Sequence, residues 1–334
     1  MPPISTGAVD WLLGSGNPSI RLLTFTELLG YKSDSVEVGE ARRAIMTAGI
    51  VPELLALQNA DGSWNDPVKF YTDKYCGTVW QLMILAEHVA DNRHPGVINA
   101  CEFILQHSQE LRAGGFSAYR SEKTGGGLPA YVIPCLTGNM VWSLIRLGMG
   151  NDERVKNGIH WINTFQRFDD GDTKPPKGAP YDRYDMCWGW HSCHLGVVKA
   201  MKALAEIPVA DRSAETRKTI ERGVEYLLIH HIYKRSHNLD SVSKPGWLKL
   251  GFPLMYQTDI LEILLILTKL GCRDPRMQDA IDIVLSKQDA NGLWKLENKP
   301  AGKFQVKIER KGKPSPWITL RCLQVLKSWD EGQA

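Results

Sequence analysis

The segment DMCWGWHSCHLG, residues 185–196, holds two cysteines, two histidines, two tryptophans and an aspartate. If a helix begins at Asp185, the side chains of Cys187, His191 and His194 stand at positions i, i+4 and i+7 and share one stripe. Two imidazoles and a thiolate are suitable Zn²⁺ ligands, and the N-terminus of a helix favours the ionised thiol. The pattern therefore predicts a zinc site with Cys187 as a catalytic group, and a crowded piece of core is the alternative.

Two further cysteines occupy the first turns of other predicted helices, Cys76 in YCGTVW and Cys135 in PCLTGNMVW. If the N-termini of these helices gather around one mouth of a central cavity, both thiols lie near Cys187, and Cys135 becomes a further candidate zinc ligand. Simple packing of a small residue between crowded helices explains Cys76 and Cys135 equally well.

Asp259 enters an otherwise apolar segment, MYQTDILEILL, which its periodicity predicts to be a helix. A carboxyl group buried there has a raised pKa and could act as a general acid, with Tyr256 as a neighbouring candidate catalytic residue. The alternative is a charge that is satisfied at the N-terminus of the helix. Asp259 and the thiols would also support metal-free acid–base chemistry, such as hydration or dehydration.

Aromatic side chains stand near the starts of the predicted inner helices, where they could line an apolar cavity for substrate and stabilise a cation. These residues are Trp188, Trp190, Tyr256 and Trp317. Packing between helices is the alternative, and Trp190 is also predicted to share a core stripe with Val197, Met201 and Leu204.

Charged segments offer further candidate binding groups. Arg235 and His237, in HHIYKRSHNLD, are predicted to face the cavity mouth and could hold an anionic group such as a diphosphate. Asp169 and Asp170, in FDDGD, could bind Mg²⁺ together with a diphosphate. A solvated helix terminus and a solvated loop are the respective alternatives.

The composition is that of an ordinary globular protein. The 334 residues are 43% hydrophobic and 23% charged, and the formal net charge is +3. Because the sequence has no block of like charges and no apolar run of about eighteen residues, we expect neither a nucleic-acid partner nor a membrane span. The N-terminus lacks a signal-peptide pattern and the cysteines are odd in number, so we expect a cytoplasmic protein with reduced thiols.

Apolar residues recur at helical spacing through nearly every segment, and strand-like alternation is scarce. The most apolar segments predict inner helices at about 19–30, 74–90, 131–148, 186–206, 253–270 and 316–329. More polar helices, such as AETRKTIERGVEYLL, would form an outer layer. The sequence predicts an all-α fold, an (α/α)6 toroid or barrel of about six inner and six outer helices, in a single domain of residues 1–334. A linear solenoid of helix pairs is the alternative.

One repeated element joins successive helices. LGMGNDERVKNGIHWI and LGCRDPRMQDAIDIV each predict a helix that ends at Leu-Gly and a new helix that follows. Asp152 and Asp274 suit the N-caps of the new helices, and Pro275 suits the first helical position.

A second repeated element has the pattern Gln-x3-Gly-x-Trp. QNADGSW and QDANGLW end at Trp64 and Trp294, and weaker copies follow Gln109 and Gln166. The copies are spaced by about 50–60 residues or twice that distance, which predicts helix-pair repeats.

These elements resemble the QW repeats of the terpene cyclase superfamily of squalene–hopene cyclase and oxidosqualene cyclase, whose toroidal domain is shared by protein prenyltransferase β subunits. The resemblance covers about residues 35–330. The prenyltransferase β subunits carry a zinc-binding Asp-x-Cys at an inner-helix start, which implies Asp185 and Cys187 as ligands here. SCHLG is similar to the zinc motif of lanthionine synthetase cyclases, with Cys193 and His194 at the ligand positions. The Asp-x-Asp-Asp acid motif of class II terpene cyclases does not occur in the sequence.

The residues and the resemblance together predict an enzyme that works in a central apolar cavity on an isoprenoid-like or other hydrophobic substrate. The predicted reaction is a cyclisation, prenyl transfer or lyase step assisted by zinc at Cys187, His191 and His194. One alternative is a metal-free hydratase or dehydratase, and the other is a non-catalytic binding toroid with structural zinc. Protein prenyltransferases need a second subunit, so the resemblance also allows a partner subunit here, although no residue pattern indicates one.

Overall fold

A computed structural model describes residues 6–331, except for the side chain of Asp185. Within these residues the helices are α1 (Thr6–Leu13), α2 (Pro18–Leu23), α3 (Val36–Ile45), α4 (Ile50–Leu55), α5 (Thr78–Glu87), α6 (Pro95–His107), α7 (Pro134–Leu144), α8 (Glu153–Phe165), α9 (Asp185–Trp188), α10 (His194–Ala205), α11 (Ala214–Ile229), α12 (Ile260–Lys269), α13 (Gln278–Ser286) and α14 (Pro316–Asp330). A wider π-type turn extends α2 over Thr24–Leu28, and another follows α7 at Ile145–Met149, where Leu147 and Gly148 leave the helical conformation. The predicted all-α class is confirmed.

A short hairpin is the regular β structure of residues 6–331: β1 (Lys234–Arg235) pairs antiparallel with β2 (Asn238–Val242). In the same part of the chain, no helix is both long enough and apolar enough to cross a bilayer.

The described chain divides into two compact units. The middle unit comprises residues 54–226 and 302–305, and the split unit comprises residues 6–53, 227–301 and 306–331. The prediction of a single domain stays a prediction.

In the middle unit, α7 packs between α5 and α10, while α6 packs against α5 and α8 against α7. Every residue of α7 is buried, as is every residue of α5 up to Ala86. A helix that is apolar around most of its circumference needs neighbours on several sides, and the more polar α8 supplies one of them with a single buried face. Gly138 lets α7 approach α10 closely, because a Cβ there would lie 2.4 Å from the backbone carbonyl carbon of Lys199.

In the split unit, α12 packs against α14, and α13 packs against α12. The π-type extension of α2 also contacts α14, and α3 packs on α2. Asp274 accepts a hydrogen bond from the amide of Arg276 with Pro275 at the first position, and Asp152 caps α8 in the same way through Arg154. The predicted N-caps are therefore confirmed.

The Gln-x3-Gly-x-Trp element and its weaker copy after Gln109, which has one more residue before the glycine, make the same contact in three places. In each copy, the backbone N–H of the aromatic residue donates to a threonine hydroxyl in the first turn of the next buried helix. The pairs are Trp64 with Thr78 at 3.1 Å, Phe116 with Thr137 at 2.9 Å, and Trp294 with Thr319 at 3.1 Å. The element therefore fastens the end of one helix pair to the start of the next.

The glutamine of this element also connects neighbouring repeats in the middle unit. The Gln58 amide donates to the carbonyl of Gly62 in its own loop and, at 2.8 Å, to that of Gly96 in α6. Gln109 repeats the arrangement by donating at 2.6 Å to the carbonyl of Arg154 in α8.

The predicted inner helix at 186–206 is wrong in its first half. The chain makes one helical turn, α9, and then Gly189 takes an extended conformation with ψ of −168° before α10 begins at His194. Cys187, His191 and His194 therefore do not share a stripe of one helix. The predicted inner helices at about 74–90 and 253–270 also start too early, because α5 begins at Thr78 and α12 begins at Ile260.

Candidate active site

Asp259 is the N-cap of α12 in the split unit. One carboxylate oxygen, Oδ1, accepts a hydrogen bond of 2.9 Å from the amide of Glu262, as an N-cap aspartate does. The other, Oδ2, accepts a hydrogen bond of 2.7 Å from the amide of Gly251. The second bond fixes the carboxyl group against the segment that precedes the helix.

Burial controls the acidity of Asp259, whose exposed fraction is 1%. Burial raises the pKa of this carboxyl from 3.8 to about 7, although the hydrogen bonds from Glu262 and Gly251 and the positive charge of Arg321 act in the opposite direction. Near neutral pH the group is therefore present in both protonation states, which is the condition for an efficient general acid. Asp259 is both the capping residue and a weakened acid, so the two sequence interpretations describe the same side chain.

A stacked aromatic pair lies next to the segment that Asp259 holds. Phe252, which follows Gly251, stacks on Trp317 with ring centres 4.5 Å apart and an angle of 13° between the planes. The guanidinium carbon of Arg321 lies 5.0 Å from the Phe252 ring centre and 5.6 Å from that of Trp317. All three side chains are buried. The prediction placed Trp317 near an inner-helix start, and it lies in the first turn of α14.

Glu309 adds a second carboxyl group to this region. The hydroxyl of Ser315 donates to its Oε2, and the backbone amide of Trp317 donates to its Oε1 at 3.4 Å. Burial raises the pKa of Glu309, whereas Arg321 lowers it. Arg321 therefore acts electrostatically on both carboxyl groups, Asp259 and Glu309.

The sequence prediction missed Arg321 and Phe252 as parts of this region, and it assigned Glu309 to a lid loop with a possible substrate role, without placing it beside Asp259. Arg321 could have been found, because it stands four residues after Trp317 on the same face of an apolar helix. Glu309 lies in a loop without periodicity, and only its tertiary contacts reveal its position.

The candidate Tyr256 and a further cysteine, Cys322, lie near this region in the chain. Tyr256 is partly buried in the turn that precedes α12. Cys322, in α14, is completely buried, and burial followed by the negative charge of Asp259 raises the pKa of its thiol. The thiol of Cys322 therefore stays protonated at neutral pH.

The segment 185–196 belongs to the middle unit and is held by Arg167. This buried guanidinium donates to the carbonyls of Trp188 at 3.1 Å and Gly189 at 3.2 Å. It also forms an ion pair of 2.5 Å with Asp169, whose backbone exchanges hydrogen bonds with Ser192. Asp169, which was predicted as a possible magnesium ligand, therefore stabilises this loop.

Three thiols lie close to one another in the middle unit. A hydrogen bond with Cys193, followed by burial, raises the pKa of Cys187. Burial raises the pKa of Cys135 to about 12, with a further contribution from Cys193. The predicted proximity of Cys135 and Cys187 is therefore present, with Cys193 as the third member. The thiol of Cys76 donates instead to the carbonyl of Lys303 at 3.3 Å.

The two histidines of the segment have different surroundings. Nδ1 of His191 lies 3.4 Å from the carboxylate of Asp170, and the imidazole is exposed. The ring of His194 packs near Tyr226, with ring centres 5.7 Å apart. Among the side chains that the structure describes, Cys187, His191 and His194 do not converge within 4.8 Å of one another, so they do not fit the predicted zinc site. The side chain of Asp185 lies outside the described residues, and zinc binding in this segment stays a prediction.

The two tryptophans of the segment also differ. Trp188 is 2% exposed and makes edge-to-face contacts with Trp161 and Tyr181. Trp190 is 53% exposed, so its predicted place in a core stripe is wrong. The extended conformation at Gly189 turns the chain away from the helical path that the stripe assumed. The other predicted members of that stripe, Val197, Met201 and Leu204, are buried.

Arg235 and His237 lie in the β1–β2 hairpin of the split unit. Arg235 pairs with Asn238 across a two-residue turn that contains His237, and both candidate side chains are exposed. Their predicted role in binding an anionic group stays a prediction.

No protein-family model and no curated protein matches the chain. Among solved structures, a variant of the type II terpene cyclase MstE from Scytonema in complex with geranylgeranyl dihydroxybenzoate is 15% identical, with a TM-score of 0.43, over 97% of this chain and 96% of that one. A variant in complex with the product merosterolic acid A is 14% identical, with a TM-score of 0.43, over 96% and 97%. A protein from Actinoplanes is 16% identical, with a TM-score of 0.46, over 97% and 98%. Similarity at this level does not identify the reaction of this protein.

Proposed function

We propose that this protein is an enzyme that protonates an alkene of an isoprenoid-like or other hydrophobic substrate and so starts its cyclisation. The observation that carries the proposal is the buried carboxyl group of Asp259, held by the amides of Gly251 and Glu262, and its burial raises the pKa to about 7. An exposed aspartate is ionised at neutral pH and cannot donate a proton, whereas a large fraction of Asp259 retains its proton.

The hydrogen bonds of Asp259 suit the step that follows proton transfer. The carboxylic acid gives its proton to one alkene carbon, the other carbon becomes a carbocation, and a second double bond of the substrate attacks it to close a ring. The amides of Gly251 and Glu262 already point at the two carboxyl oxygens, so they stabilise the carboxylate that remains. Loss of a proton from the cyclised cation restores the charge balance and regenerates the acid.

The aromatic pair supports a cationic intermediate. Phe252 and Trp317 are held rigidly by stacking, and the negative faces of such rings attract positive charge. Arg321 packs on the same pair, and its positive charge lowers the pKa of both neighbouring carboxyl groups, Asp259 and Glu309. We assign Arg321 the role of positioning the rings.

The zinc-assisted form of the prediction contributes no step to this proposal, because the described side chains of Cys187, His191 and His194 do not converge. The metal-free hydratase alternative would use the same acid, with water instead of an alkene capturing the cation. The identity of the product distinguishes cyclisation from hydration, and a protein without turnover would correspond to the binding alternative.

The experiment uses a geranylgeranyl-substituted dihydroxybenzoate as substrate in D2O, with products analysed by mass spectrometry and NMR. A cyclised product that carries one non-exchangeable deuterium is expected. Asp259→Asn should lower the rate roughly 10²–10⁴-fold, because asparagine keeps one acceptor oxygen, for the capping bond from Glu262, but has no acidic proton. Asp274→Asn changes another N-cap aspartate of the split unit and should leave the rate unchanged.

Two results would contradict the proposal. One is a cyclised product without deuterium, which would exclude protonation by a solvent-exchanging acid. The other is an Asp259→Asn variant that retains wild-type turnover, which would remove Asp259 from the reaction.

A further inference from the structure

The backbone of the middle unit places Cys187 opposite Cys193. Trp188 and Ser192 form an antiparallel bridge, and these cysteines are the next residues outward on its two sides. The bridge brings the two backbones next to each other, so the cysteines that flank it lie within reach of one another. A disulfide requires Cα atoms about 4.4–6.8 Å apart, which neighbouring backbones can meet.

The side chains are already in contact. The thiol of Cys187 is hydrogen-bonded to that of Cys193, and both cysteines are partly exposed. Cys193 directly precedes α10, so the start of this helix fixes its backbone position.

The loop between the two cysteines is held in this arrangement. Arg167 binds the carbonyls of Trp188 and Gly189 on one side, and Asp169 binds Ser192 on the other. Trp188 is fixed by its buried aromatic contacts. A bond between the sulfur atoms can therefore form without displacing the surrounding structure.

We propose that Cys187 and Cys193 are a redox-active pair that hydroperoxides oxidise to an intramolecular disulfide. The thiolate of one cysteine attacks the peroxide, which forms a sulfenic acid and releases hydroxide. The sulfur of the other cysteine then attacks the sulfenic sulfur, its proton leaves with the departing hydroxide as water, and the disulfide forms. The two thiols lose two electrons in total, and one hydrogen peroxide is reduced to two waters.

Cys135 is the neighbouring thiol that could compete with the pair for peroxide. Its thiol is 8% exposed, and burial raises its pKa to about 12, so it should react slowly with peroxide. Cys272 makes a matched control because it is also partly exposed and forms no disulfide, and it lies in the split unit. The pair is independent of Asp259 and of the proposed cyclisation.

The test begins with full-length protein that has been dialysed against EDTA and treated with equimolar hydrogen peroxide. Remaining thiols are blocked with N-ethylmaleimide, and the protein is digested and mapped by mass spectrometry. A single internal disulfide between Cys187 and Cys193, with a mass loss of two hydrogens that dithiothreitol reverses, is expected. Cys272 should remain fully alkylated.

The Cys187→Ser variant tests the order of the two steps. Without its partner, Cys193 should accumulate as a sulfenic acid that dimedone traps, whereas a Cys272→Ser variant should still form the disulfide. Peptide maps of the wild type suffice if the serine variant does not fold. A disulfide that joins Cys193 to Cys135, or equal alkylation of Cys187, Cys193 and Cys272 after peroxide treatment, would overturn the proposal.

Discussion

Asp259 accepts a hydrogen bond of 2.7 Å from the backbone amide of Gly251, eight residues earlier in the chain. Gly251 immediately precedes Phe252, whose ring stacks on Trp317. One carboxyl group thus joins the start of α12 to the aromatic pair, while its second oxygen caps the helix. The position that makes Asp259 structurally useful also excludes water from it and weakens it as an acid.

The raised pKa of Asp259 predicts a specific dependence of stability on pH. Since the folded state holds this proton up to about pH 7 and the unfolded state releases it from about pH 4, the stabilisation is complete below pH 4 and is lost as the pH rises through 7. Between pH 5 and 7.5 the loss should be on the order of 2–3 kcal/mol. Urea unfolding of the wild type and of Asp259→Asn at pH 5 and pH 7.5 measures this loss of stability.

A comparison of the wild type with Asp259→Asn separates the contribution of Asp259 to the pH dependence of stability from the contributions of other titrating groups. Burial also raises the pKa of Glu309, so a part of the same trend persists in the variant. The wild type should therefore lose more free energy of unfolding than Asp259→Asn over this range. Parallel pH profiles for the two proteins would show that Asp259 is ionised throughout.

Replacement of Trp317 tests the aromatic pair separately from the acid. Trp317→Leu keeps an apolar side chain but removes the aromatic face, and we expect a loss of roughly 3–30-fold in kcat, which corresponds to about 0.5–2 kcal/mol of cation stabilisation. Trp329→Leu removes another buried tryptophan from α14 and should lower stability without this loss. Turnover and circular dichroism of both variants distinguish the two effects, and an equal kcat for both would contradict the role of Trp317.

The buried helices were predictable because their signal is local. The segments of α5 and α7 are apolar around most of their circumference, and this property alone requires burial on several sides. Asp259 was similarly visible as a carboxylate at the start of an apolar run, and its capping role and raised pKa follow from that position.

The segment 185–196 was mispredicted because its conformation depends on distant residues. Nothing within DMCWGWHSCHLG specifies that Gly189 adopts an extended conformation, which Arg167 stabilises from about twenty residues earlier. The change of path moves Trp190 outwards and separates His191 from His194. It also brings Cys193 opposite Cys187, a relationship that helical spacing could not reveal.

Gly138→Ala tests the close approach of α7 and α10. A Cβ at this position would lie 2.4 Å from the backbone of Lys199, so the helices must separate. We expect a net destabilisation of about 1–3 kcal/mol, although alanine favours helix formation. Gly150→Ala is the matched control, because the nearest atom would be 3.9 Å away. Urea unfolding of both variants measures the difference, and equal stabilities would contradict the close contact.

The threonine of the repeated element provides the last test. Thr319→Val keeps the shape of the side chain but removes the hydroxyl that accepts the Trp294 amide, so a buried N–H loses its partner. The expected cost is about 1–3 kcal/mol in the free energy of unfolding. Thr47→Val is the control, because the Thr47 hydroxyl is exposed and its contacts with helix carbonyls are 3.4 and 3.5 Å long. Thr78→Val should resemble Thr319→Val, since Thr78 accepts the Trp64 amide in the same way. If both buried variants are as stable as Thr47→Val, the recurring bond is a consequence of helix packing and does not stabilise the junction between repeats.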